Sequence, residues 1–162
     1  MRGRLGLCIP IALLVAAGCG EVERVTGSVS GSVPWGGTWP AEGSMLVALF
    51  RVAPWDPDFV PGPPAAYCVL QRPTGSQADF ALTDLAFDVY DSLVVAWSDP
   101  DPVEQSKHML PVSVHGTELD RLEEASAIDL DAAQPDREGL VLPEMILYEH
   151  AEDMRSHYTP DY

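Results

Sequence analysis

The chain has 162 residues, with 25 acidic against 9 basic side chains and a formal net charge of −16. That balance excludes nucleic acid as an electrostatic partner, because a polyanion would meet a surface of the wrong sign, and it disfavours charge-driven docking on anionic lipid. Fifteen prolines argue against long helices and the lack of any asparagine removes every N-glycosylation acceptor, while a hydrophobic share of 46% is that of a globular domain rather than a disordered chain.

The N-terminus comes first in chain order and carries most information. Arg2 and Arg4 precede thirteen positions, 5–17, that hold only apolar, Gly and Pro residues, with one cysteine among them. As a helix that run would cover about 20 Å, too short for a hydrocarbon core of about 30 Å. A signal-peptide apolar region has that length and those flanking charges. An uncleaved anchor, or ordinary cleavage at an Ala-x-Gly site, stay open as alternatives.

The next segment alternates with period two. Val25, Val29 and Val33 share a face with Gly27 and Gly31, while Thr26, Ser28, Ser30 and Ser32 take the other. This predicts a strand near an edge, with glycines where another backbone crowds it. Pro34-Trp35-Gly36-Gly37-Thr38-Trp39-Pro40 reads as a loop. Met45-Leu46-Val47-Ala48-Leu49-Phe50 is continuously apolar, as expected of a strand covered on both faces, and five prolines within 53–64 predict an extended loop.

Shorter strands are expected at 66–70, 79–83, 93–97, 111–115 and 127–131. The Asp99-Pro100-Asp101-Pro102 turn follows the third of these, and Pro111 confines the fourth to a strand start or an edge. In the last, Ile128 and Leu130 should point inward and Asp129 and Asp131 outward. About seven short strands at this spacing predict an all-β fold, an antiparallel β-sandwich of two facing sheets over 25–133. Pro143 followed by Glu144-Met145-Ile146-Leu147-Tyr148-Glu149 suggests the start of a short helix, in a loosely packed acidic C-terminal tail, 134–162.

Signatures of chemistry are sparse. Gly27-Ser28-Val29-Ser30-Gly31 places Val29, not serine, where a nucleophile elbow needs its hydroxyl. His108, His115, His150 and His157 have no zinc-ligand spacing, so neither a metal nor any other cofactor is expected. Asp99, Asp101 and Glu104 in one loop, and Asp56 with Asp58 in another, offer the oxygen ligands calcium wants. They could also serve a carboxylate-dependent hydrolase, the alternative functional reading. A solvated acidic surface is the plainer account of both clusters. Trp35 and Trp55, in Pro/Gly-rich loops, are candidates for a stacking platform that binds sugars or peptides; Trp39 is expected in the core. Cys68, inside an apolar run, reads as a small buried hydrophobe.

Val15-Ala16-Ala17-Gly18-Cys19 resembles the lipobox of bacterial lipoproteins, with Ala16 where that family prefers Leu. The resemblance implies a signal peptide 1–18 and a lipidated tether 19–24. Cys19 would become the acylated first residue, with its acyl chains holding the protein on the membrane. Gly20 rather than Asp after the cysteine implies sorting to the outer membrane of the cell envelope. With Cys8 removed and Cys19 acylated, Cys68 is left without a disulfide partner.

The block 25–131 resembles transthyretin-like sandwiches related to carboxypeptidase regulatory domains. Val25-Thr26-Gly27-Ser28-Val29-Ser30-Gly31, Trp39-Pro40, Leu82-Thr83-Asp84-Leu85, Leu93-Val94-Val95-Ala96-Trp97 and Ala127-Ile128-Asp129-Leu130 carry the likeness. The Pro-x-Gly that usually precedes the hairpin tyrosine is missing before Tyr90. That resemblance implies a Greek-key fold and an accessory, non-catalytic role. Together with the anchor signal and the lack of a catalytic constellation, this leads to the expectation of a surface that contacts an envelope protein or a glycan, with a purely structural envelope component as a further alternative.

Overall fold

The computed structural model describes residues 25–56, 63–101 and 108–158. The signal segment, the tether with Cys19, and the loop acids Asp58 and Glu104 lie outside the described residues. The fold is an all-β sandwich. Its strands are β1 (Thr26–Gly37), β2 (Ser44–Phe50), β3 (Ala66–Val69), β4 (Gln77–Ala86), β5 (Asp88–Tyr90), β6 (Ser92–Ser98), β7 (Met109–Val114), β8 (Ile128–Leu130), β9 (Asp136–Val141) and β10 (Met145–Leu147), followed by one helix, α1 (Ala151–Tyr158).

One sheet runs β10-β1-β4, with β9 also on β1; the facing sheet runs β3-β2-β6-β7, and β5 pairs with β8 across one end. Val29 and Val33 of β1, Met45, Val47 and Leu49 of β2, and Leu93, Val95 and Trp97 of β6 meet in the main core. β2 and β6 are covered on both faces, as their unbroken apolar runs require. Ala48, Phe50, Val94, Ala96 and Val114 form a second cluster on the outer face, roofed by Trp55, Leu119, Leu122 and Ala125. Ile128 and Leu130 are buried with Asp129 exposed between them, and Pro111 sits in β7, an edge strand.

Four expectations need correction. β1 is not near an edge: it lies inside its sheet, with β4 on one side and β9 and β10 on the other. Pro34-Trp35-Gly36-Gly37 is not a loop: it completes the twelve-residue β1. Trp35 N–H donates toward the β4 side, to Ser76 O at 2.9 Å, while Ser32 O accepts from Leu142 on the other side. By strand alternation Pro34 therefore faces the gap between β9 and β10, where its missing donor forfeits no ladder bond.

Residues beyond 134 are not a loose tail. β9 and β10 lie parallel to β1, in registers Ser28↔Asp136 and Trp35↔Met145, so the first sheet is mixed rather than antiparallel. Leu142, Met145, Leu147 and Met154 are all within the main core. Finally, the helix suggested from Pro143 is a strand at 145–147, and the helix forms later, at 151–158. The pairing partner decides this: Gly36 and Gly37 of β1 leave open backbone for β10, and a single helical turn of Met-Ile-Leu could not bury both Met145 and Leu147 while exposing Ile146.

Candidate functional site

The two sheets meet along a seam where the edge strands β7 and β10 approach each other and α1 lies across them. Its chemistry starts from two residues of α1. Arg155 reaches the end of β6 and grips Asp99 through two bonds, Nε to Oδ2 at 2.5 Å and Nη2 to Oδ1 at 2.6 Å. Nη2 also donates to the Asp101 carbonyl at 3.0 Å. The Asp99 side chain is only 3% exposed against 27% for Arg155, so this is a bidentate, largely covered pair rather than a surface one. The hydrogen bond from Arg155 holds the Asp99 carboxyl below the ordinary carboxylate range, against the desolvation that would raise it.

One helical turn on, the Tyr158 hydroxyl donates to Ile146 O at 2.5 Å and accepts from Ile146 N–H at 3.2 Å. It therefore satisfies both main-chain groups that β10 turns away from β1. Burial raises the Tyr158 hydroxyl above its usual pKa, so it keeps its proton. Between these two points Met154 is fully buried, and Tyr148 N–H points at its sulfur at 3.4 Å.

Beside α1 a cavity of about 150 Å³ opens between β7, the 117–119 turn and β10. Val112, Leu119 and Ile146 give it apolar walls, and Glu118, Glu144 and His157 give it a polar rim. Its hydroxyls are already committed: Ser113 donates to Pro143 O at 2.8 Å and Thr117 to Arg121 O at 2.7 Å. His157 Nδ1 stands 3.2 Å from the Tyr148 hydroxyl, and its ring packs edge-on against Tyr158 at 4.7 Å. Such a cavity can receive an apolar or cationic side chain by contact and charge. None of its hydroxyls is paired with a base as a nucleophile would be.

The residues singled out from sequence fall elsewhere. Trp35 packs against the main core and meets Trp39 edge-to-face, ring centroids 5.5 Å apart. Its indole Nε1 is buried without a partner. Trp55 packs on the second cluster, on the outer face of the other sheet. The structure therefore does not bring Trp35 and Trp55 together as one platform; each closes a different apolar layer. Asp99 is committed to Arg155, which removes it from an open carboxylate cleft, and among the described residues no His, Cys, Asp and Glu group is arranged to hold a metal. Cys68 is half-buried, and burial raises its thiol pKa, away from the reactive thiolate.

Sequence reasoning missed Arg155 and Tyr158. The signal was present in the spacing Ala151, Met154, Tyr158, an i, i+3, i+7 stripe, but it covers only two turns. Comparison with known proteins supplies no further guide: no family model matches the chain, and no curated protein or solved structure matches it.

Proposed function

We propose that the protein is a lipid-anchored, non-catalytic accessory domain of a bacterial cell envelope, held at the outer membrane through acyl chains on Cys19. The observation that carries this reading is the run of apolar residues 5–17 behind Arg2 and Arg4, ending in Ala16-Ala17-Gly18-Cys19. The start of the fold is compatible with it. β1 begins at Thr26, so the tether from Cys19 spans at most about 25 Å when extended, and the sandwich would ride close to the bilayer. The resemblance of 25–131 to transthyretin-like accessory modules supports a binding rather than a catalytic role. A protein or glycan of the envelope is the partner class, and the seam beside α1 is the contact surface we assign to it. The hydrolase alternative loses its first acid, because both Asp99 oxygens are taken by Arg155.

The test is acylation. Intact-mass measurement of the product from a bacterial host should show cleavage before Cys19 and an added diacylglyceryl mass. The Cys19→Ser protein should lose that mass and leave the membrane fraction. Normal processing and full membrane retention of Cys19→Ser would overturn the proposal.

A further inference from the structure

The cavity beside α1 is too small for a free metabolite, and its hydrogen-bonding groups are too committed for a sugar. Small-molecule sites run to ~300–1,000 Å³, against about 150 Å³ here, a volume that takes a group roughly the size of benzene. A sugar is held through its hydroxyls, which need free donors and acceptors in place. Each side-chain hydroxyl lining the cavity is already engaged with main chain: Ser113 with Pro143 O, Thr117 with Arg121 O, and Tyr158 with both Ile146 N–H and Ile146 O. The tryptophans lie elsewhere, Trp35 and Trp39 against the main core and Trp55 on the second cluster. What stands unpaired is negative charge. Glu118 and Glu144 at the rim have no ion-pair partner among the described residues: Arg121 of the same turn lies against Asp120 and Glu124, and Arg155 of α1 holds Asp99. His157 Nδ1 stands at the Tyr148 hydroxyl.

We infer that the partner is a protein and that it lays one long cationic side chain, a lysine or an arginine, along this cavity. This rests on the seam being the contact surface, the reading proposed for it, and decides between the protein and the glycan. Such a side chain buries its methylene stem on apolar surface and keeps its charged head at the water's edge. The cavity has that division: Val112, Leu119 and Ile146 make apolar walls, and the carboxylates of Glu118 and Glu144 stand at the rim on opposite sides, one on the 117–119 turn and one beside β10. An apolar side chain would fill the walls and leave both carboxylates unanswered, and an acidic one would be repelled. The net charge of −16 draws a basic segment toward the molecule from a distance; the cavity then selects one side chain of that segment.

The test titrates the isotope-labelled full-length chain in mild detergent, followed by NMR, with three probes: a capped Gly-Lys-Gly peptide, the same peptide with norleucine in place of lysine, and chitotetraose. The lysine peptide should shift amides at 113–119 and 144–146 and saturate. The norleucine peptide, which keeps the stem and lacks the charge, should bind about fivefold more weakly. Glu118→Gln/Glu144→Gln should weaken the lysine peptide by a similar factor. Asp79→Asn/Asp129→Asn, an equal change of charge at exposed residues outside the cavity lining, should leave it unchanged. Equal affinity for the two peptides, unchanged affinity in the glutamine variant, or an equal loss in the asparagine variant overturns the inference. Shifts in the cavity with chitotetraose and none with the lysine peptide overturn it too, yet keep the seam as the contact surface; silence from every probe removes both. The anchor is read separately, in the membrane fraction of Cys19→Ser.

Discussion

A β-carbon on Gly31 would lie 2.1 Å from the Leu140 carbonyl oxygen, and one on Gly27 would lie 2.0 Å from that of Pro135. Both glycines therefore mark places where the C-terminal third of the chain is laid directly on β1, and no rotamer change can relieve the clash because the obstacle is backbone. Gly31→Ala should cost about 1–3 kcal/mol in urea unfolding, the range for overpacked sites. Gly75→Ala, with nothing within 4 Å of the added carbon, should stay within about 0.5 kcal/mol of the parent. Met154→Ala, at a fully buried position, should cost about 2–5 kcal/mol by the same measurement. At Asp99 the folded-state carboxyl sits below its unfolded value of about 3.9. Its contribution to stability is therefore complete above that value and is lost as pH falls through the lower, folded one. The gap in urea midpoint between the parent and Asp99→Asn should accordingly be widest near neutral pH and shrink below about pH 4. A gap that does not depend on pH would contradict the charge-assisted pair.

Among the elements, those with a local signature were legible. β2 and β6 announce themselves as apolar runs, and β8 by Ile128 and Leu130 around an exposed Asp129, because burial on two faces or one is written within the strand. β9 was not legible: Asp-Arg-Glu-Gly-Leu-Val is polar, and it is a strand because its main chain pairs in parallel with β1, from Ser28↔Asp136 to Ser32↔Val141, with the Ser28 hydroxyl also donating to Asp136 Oδ1 at 2.5 Å. The extension of β1 through Pro34 was hidden for the same reason, since what matters is the gap its missing N–H faces. The site was the least legible part. Asp99 in an Asp-Pro-Asp-Pro turn looks solvated until Arg155, 56 residues away, is placed beside it. Removing α1 by a stop after His150 should therefore do more than shorten a tail. It uncovers Met145 and Leu147 and strips Asp99 of its cation, so the shortened chain should show a lower Tm and greater aggregation than the parent, read by light scattering during a thermal ramp.

For the molecule as a whole, two sheets closed by β5 and β8 bury a main core with no disulfide among the described residues, and a second layer of apolar contacts roofs the outer face of β2 and β6. The parallel placement of β9 and β10 on β1 has a temporal meaning. β1 is bordered on one side by β9 and β10, about a hundred residues further along the chain, so that side of it stays unpaired until a distant segment has been made and docked. Closing that long loop is the costly non-local step, so a variant that weakens the docking of β9 and β10 should slow refolding more than one that weakens the antiparallel β2–β6 pair.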